Sequence, residues 1–298
     1  MQLPKDFDHS SLAPILIAGA TASGKSALAL KLAAERPSII LNADSLQVYS
    51  GWRVLTARPS EDDRTLVPHR LDGHVGMDQE YSVGHWLREV TKELEDARTS
   101  VLRPIIVGGT GLYFRALTEG LALIPPISKE VRSEADMMSD TFGSEIFAQK
   151  IDEKTARRID LNNPARTRRA WEVLAETSKP LADWQDATPP PLLPLCSVTP
   201  LLLHTDTDRL NQRIDTRFDF MIEAGALVEA ETALESFWSP TKPSCQAIGA
   251  ADLIDHIRGL VDLNSAVENA KTKSRQYAKR QRTWFRTRMS NWTVIEMK

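Results

Sequence analysis

Gly19-Ala20-Thr21-Ala22-Ser23-Gly24-Lys25-Ser26 has the G-x-x-x-x-G-K-[ST] spacing of a phosphate-binding loop. In such a loop the glycines let backbone N–H groups turn inward around phosphate oxygens, and the helix that follows adds the positive end of its dipole. Lys25 supplies a point charge and the Ser26 hydroxyl a ligand for magnesium. The spacing specifies a phosphate ligand and leaves the reaction open. Asp44 is the second residue that could do chemistry. A carboxylate beside a phosphate site is like-charged with the ligand, so its presence needs a reason. It could deprotonate a nucleophile, hold magnesium through water, or cap the next turn.

These residues need elements to position them. Ile15 to Gly19 is an apolar, β-branched run that predicts a strand before the loop, and Ala27 to Glu35 is helical by composition. Pro37 closes that helix, and Ser38 to Asp44 supplies a second buried strand. Tyr81 to Thr99 reads as an amphipathic helix capped by Ser82, feeding a third strand that ends in Gly108-Gly109-Thr110-Gly111. Alternating strands and helices predict a parallel sheet, with the loop and Asp44 at the edge where such sheets bind ligands.

No Walker-B aspartate ends the third strand; Asp206 could stand in for one, but it reads first as the N-cap of the next helix. From about Pro125 to Ala182 the pattern is helical, and a strand returns at Pro200 to His204. A long helical stretch follows from Asp208 to Ser236, another from Ala266 to about Met289, and a last strand-like run from Trp292 to Met297. The predicted fold is α/β: a P-loop parallel-sheet core over 1–122 and 199–298, a helical insertion domain over 123–198, and a helical C-terminal region.

Hydrophobic residues make up 42% and charged residues 26% of the 298, which fits a globular enzyme and argues against disorder. Apolar runs are short and Met1 to Pro14 carries acids, so the expectation is a cytoplasmic protein with no targeting segment and no membrane contact. A monomer is expected, though no residue pattern bears on it. Cys196 and Cys245 stand alone and the six histidines show no ligand spacing, which excludes a zinc ribbon or a disulfide framework.

The net charge of -3 argues against a general nucleic-acid coat, but the cations are concentrated. Lys271, Lys273, Arg275, Lys279, Arg280, Arg282, Arg286 and Arg288 run without an acid among them. Lys154, Arg157, Arg158, Arg166, Arg168 and Arg169 form a second cluster with three acids mixed in. Two such patches suit a local polyanion site. Arg166 and Arg169 share a helix face and Arg168 lies off it. Tyr277, Trp284 and Phe285 fall near helical repeats, as core anchors do, while Arg209, Arg213 and Arg217 form a stripe with at least one member facing the P-loop.

In chain order, several blocks resemble motifs of the tRNA dimethylallyltransferases, in the bacterial form without a zinc finger. They are Gly19 to Ser26, Asn42 to Tyr49, Thr56-Ala57-Arg58-Pro59, Val67-Pro68-His69 and Gly108 to Tyr113. Asn163 to Val173, Arg209 to Arg217 and Arg275 to Trp284 continue the series. The resemblance implies transfer of a dimethylallyl group from dimethylallyl diphosphate to N6 of adenine 37 of tRNA, with release of diphosphate. It implies Asp44 as general base, Thr110 beside the reacting centre and Arg217 on the departing diphosphate. Gly19, Thr21, Ala22, Ser23, Gly24, Lys25 and Ser26 would hold the diphosphate, with Mg2+ on Ser26.

Asp44, Ser45, Leu46, Gln47 and Thr110 would hold the flipped adenine and its neighbour. Contacts to the tRNA anticodon loop would come from Arg132, Ala165, Arg166, Thr167, Arg168 and Arg169, and from Cys245, Gln246, Ala247, Ile248, Gly249 and Ala250. Lys279, Arg280, Gln281, Thr283, Trp284 and Arg286 would complete them. The chain departs from the family where Gly249-Ala250-Ala251-Asp252 replaces Gly-Tyr-Arg-Glu, where Arg70 replaces a second histidine, and where Leu55 replaces a glycine. Rival readings are a P-loop small-molecule or nucleoside kinase and a prenyltransferase acting on free adenylate. A non-catalytic RNA-binding module would leave Lys25 with Asp44 unexplained.

Overall fold

Strands buried on both faces need continuous apolar runs, and those runs build the centre of the protein. A computed structural model of the chain describes residues 7–297. Its six strands are β1 (Ile15–Gly19), β2 (Ser38–Asn42), β3 (His69–Arg70), β4 (Arg103–Gly108), β5 (Thr199–His204) and β6 (Thr293–Glu296). They pair in parallel in the order β3-β2-β4-β1-β5-β6. Every residue of β1 and β2 is buried. The loops after β1, β2, β4 and β5 therefore leave one edge of the sheet together, which brings the P-loop beside Asp44 and Gly108 to Thr110.

The first unit comprises residues up to Thr118 together with Leu193 onward. Its helices are α1 (Lys25–Ala33), α2 (Glu61–Leu66), α3 (Val83–Thr99) and α4 (Gly111–Glu119), the last crossing the boundary by one residue. The helical second unit, Glu119–Leu192, holds α5 (Lys129–Phe142), α6 (Ile146–Gln149), α7 (Glu153–Ala156), α8 (Pro164–Thr177) and α9 (Leu181–Asp186). The first unit then resumes with α10 (Thr207–Glu223), α11 (Ala226–Ser236), α12 (Ala250–Ile257) and α13 (Leu263–Arg288).

The insertion edges lie at 119 and 193, where the sequence predicts 123 and 199. The later edge moves because Leu193 N donates to Leu117 O at 3.0 Å and Leu193, Leu195 and Val198 pack on the main core. The helix expected over 208–236 is two helices, since Gly225 adopts φ 97 and caps the second. Asp206 is an N-cap, accepting from Asp208 N and Arg209 N. Among the described residues no helix is long and apolar enough to cross a membrane.

Candidate active site

The phosphate loop is built from backbone strain and open helix donors. Ala22 (φ 59) and Gly24 (φ 93) turn the chain in the left-handed region. α1 begins at Gly24 without a side-chain cap, so its first N–H groups are free for an anion. Lys25 is half-buried, and its Nζ donates to Ala20 O at 2.7 Å. Burial pushes this ammonium down to about 8; Asp44 pulls it back up and Arg217 adds to the depression. Thr21 N donates to Gln281 Oε1 at 2.8 Å, and Gln281 Nε2 donates to Gly109 O at 3.0 Å. The α13 amide thus ties the P-loop to the turn after β4.

Close backbone approach sets the Asp44 turn. Ala43 N donates to Val107 O at 2.8 Å, and Thr110 N donates to Ala43 O at 3.1 Å. A Cβ on Gly108 would lie 2.0 Å from Ala43 O, so only glycine allows this contact. Asp44 Oδ1 accepts from Leu46 N at 3.0 Å, so the capping reading of this residue is realised alongside its place in the cavity. The Thr110 hydroxyl accepts from Ser45 N at 2.9 Å and donates to Ser45 Oγ at 3.2 Å. It holds the turn that carries Asp44. Gln47 Nε2 donates to Thr56 O at 2.9 Å and to Ala57 O at 3.2 Å, fixing the opposite wall.

Arg217 comes from α10, and its Nη1 donates to Thr21 Oγ1 at 3.2 Å. Burial pushes its guanidinium down, and the Asp44 carboxylate acts the other way. Lys25, Ser26, Asp44 and Arg217 face a cavity of about 330 Å³. Its remaining walls include apolar Leu55, Ile214, Phe218, Met221 and Ile248, with Tyr277 from α13. Two cations and a hydroxyl at one end suit a diphosphate, and the apolar walls suit a hydrocarbon. Asp44 is placed to take a proton from a group brought to that junction.

Comparison with known proteins bears on this geometry. The IPP transferase family profile matches residues 47–288, and an isopentenyl transferase profile matches residues 13–66. A tRNA dimethylallyltransferase from Cereibacter sphaeroides is 54% identical over 295 residues, covering 99% of this chain and 92% of that protein. The chain belongs to the tRNA dimethylallyltransferase family. A relative of the same name from Dinoroseobacter shibae is 52% identical, with 99% of this chain and 98% of that one covered. The tRNA isopentenylpyrophosphate transferase of Bacillus halodurans superposes with TM-score 0.68 at 30% identity, covering 96% of this chain and 90% of that one. A eukaryotic dimethylallyltransferase acting on tRNA reaches TM-score 0.79 at 26% identity, covering 95% and 73%.

Not every position carried over from the family faces outward. Lys279, Arg280, Thr283 and Arg286 are exposed on α13, and Lys279, Thr283 and Arg286 line a groove of about 640 Å³. Gln281, by contrast, is buried and committed to the P-loop; an i, i+4 turn from Tyr277 puts it on the inward face. Trp284 packs on Gly111, where a Cβ would fall 2.1 Å from its ring. Cys245, Ala247, Gly249 and Ala250 are buried, leaving Gln246 exposed and half-buried Ile248 on the cavity wall.

In the second unit Ala165, Arg166 and Arg169 are exposed, Arg132 is half-buried, and Thr167 is buried against Asn163 O and Pro164 O. Arg168 pairs with Asp136 and Glu172. Tyr277, read from sequence as a core anchor, lines the cavity; burial and then Asp44 raise its phenol, which stays protonated.

Glu229 went unnoticed in the sequence. From α11 its carboxylate accepts Arg53 N, Val54 N at 3.0 Å and Leu55 N at 2.9 Å, gripping the loop that carries Leu55, Thr56 and Ala57 into the cavity. A lone glutamate on an amphipathic helix gives no sign of this. Glu229→Ala is expected to cost about 1–2 kcal/mol of stability, seen as a fall in Tm, with donor KM rising as the wall loosens.

Proposed function

We propose that the protein transfers a dimethylallyl group from dimethylallyl diphosphate to N6 of adenine 37 in the anticodon loop of tRNA. The observation that carries this reading is the meeting of Lys25, Arg217 and Asp44 in one partly apolar cavity. An exocyclic amine is a poor nucleophile because its lone pair is delocalised into the ring. Breaking the allylic C–O bond leaves positive charge on carbon and negative charge on diphosphate. Lys25, Arg217 and the α1 N–H groups stabilise the leaving group where that charge grows. Asp44 takes the amine proton as the C–N bond forms. The apolar walls limit water at the cationic carbon. The adenine must leave its stack to arrive there.

Among the described residues no group of three or more His, Cys, Asp or Glu could hold a metal. Ser26 is exposed at the cavity, and a second cavity of about 80 Å³ behind it is also lined by Asp63 and Asp72. One Asp72 oxygen is buried without a partner. Asp72 is paired with Arg64 and Asp63 caps α2 through Ser60, so the ligand we propose for magnesium is Ser26, with the ion keeping much of its water and taking its other ligands from diphosphate. Magnesium held there by Ser26 would supply further neutralisation of diphosphate charge. We extend the proposal to a monomer acting in the cytoplasm, the setting that a tRNA substrate supports.

The test is transfer of label from dimethylallyl diphosphate to a tRNA with adenines at 36 to 38, with and without magnesium. Phosphorylation of a small molecule by ATP, with no prenyl transfer, would replace this reading with the kinase. The pH profile gives an independent check. Lys25 binds diphosphate as the ammonium, and in the free enzyme it loses that proton as pH rises through about 8. Donor KM is therefore expected to be flat below pH 7 and to climb above 8, by up to about tenfold per pH unit.

A further inference from the structure

The cavity changes character along its length. α10 starts at the ligand edge of the sheet, where Leu210 and Ile214 pack with Ala20 and Ala22 of the P-loop. Arg217 then reaches Thr21 Oγ1. Beyond it the same helix enters a different cluster: Phe218 is buried with Trp52, Leu55 and Ala247, and Met221 packs against that group. Ile214, Arg217, Phe218 and Met221 all line the cavity, as positions three and four apart on one helix face can. At 1.5 Å per residue, Met221 lies about 6 Å past Arg217 along the helix axis. The diphosphate end and the apolar end are thus about one helical turn apart.

That end is lined by parts of unequal stiffness. Phe218 is pinned under Gly249, where an added Cβ would come within 2.7 Å of the ring. Leu55 is 6% exposed, and Glu229 holds its backbone from outside. Met221 is half-buried, unbranched and adaptable, so it is the part whose size sets the remaining depth. A second isoprene unit lengthens an allylic tail by about 5 Å, and it would have to occupy the place of the Met221 side chain.

Resting on the prenyl-transfer reading above, we propose that Met221, backed by Leu55, stops the donor pocket one isoprene unit beyond the diphosphate and so selects dimethylallyl over longer allylic diphosphates. The chemistry is the same for either donor. The C1–O bond breaks with its electron pair leaving on diphosphate, the N6 lone pair forms the C1–N bond, and the N6 proton passes to Asp44. Only the tail differs, so discrimination appears as a ratio of kcat/KM values.

The experiment compares dimethylallyl with geranyl diphosphate on the full-length protein, with tRNA and magnesium, and identifies prenylated adenosines by mass. The wild type is expected to use geranyl diphosphate at least about 100-fold less well. Met221→Ala should raise geranyl transfer about tenfold or more while lowering dimethylallyl transfer by less than about fivefold. Met221→Leu, of similar volume, should keep the wild-type ratio. Met221→Val and Leu55→Ala should shift the ratio as Met221→Ala does, and they keep the test decisive should the alanine variant not fold. An unchanged ratio in a shortened variant that still transfers dimethylallyl overturns the proposal, as does a wild type that uses both donors equally. A wild type that prenylates tRNA from neither donor counts against the prenyl-transfer reading itself.

Discussion

Asp44→Asn is expected to lower the rate of prenyl transfer by about 10³-fold while leaving tRNA affinity within about twofold. Asparagine keeps the oxygen that accepts Leu46 N, so the turn survives and only the proton acceptor is lost. The exposed cations of α13 that suit RNA lie on a different surface from Asp44, which is why affinity and turnover should separate. Single-turnover transfer and tRNA titration on the same preparation would show it. A variant that still transfers within tenfold of the wild type would mean that the amine loses its proton to something else.

Arg217→Gln is expected to reduce kcat by roughly 10²- to 10³-fold with a smaller rise in donor KM. Its guanidinium is shielded from water and bonded to Thr21, and in the proposed reaction the charge it would oppose becomes full only as the diphosphate leaves. Arg217→Lys should recover little, because a compact ammonium cannot reproduce a planar set of donors spanning Thr21 and phosphate. Steady-state kinetics on both variants decide this. A large KM effect with kcat intact would show that Arg217 binds substrate and transition state alike.

The parts of the site that rest on local spacing were legible from the chain. The P-loop, the strand leading to Asp44 and the helical nature of the insertion follow from runs of neighbouring residues, and the structure places them as expected. Partnerships between distant residues were not legible. Gln281 lies in a cationic stretch and reads as an RNA contact, yet its amide faces inward to Thr21. Cys245, Ala247 and Ala250 read as tRNA contacts on the strength of the resemblance, yet all three are buried, Ala247 and Ala250 in a core with Trp52 and Phe218. The two-residue β3 is too short for any periodicity to show, and it exists because β2 offers it a partner. Thr110 was expected beside the reacting centre, and what its hydroxyl engages is Ser45.

The bond between Thr21 and Gln281 spans 260 positions of the chain. During synthesis the glycine-rich turn, its lysine and Asp44 all emerge long before the amide that seats them. A nascent protein can carry the loop's own phosphate ligands, before Arg217 or Gln281 exists, without a finished receptacle. Donor capture should therefore switch on abruptly, when α13 docks, instead of growing with chain length.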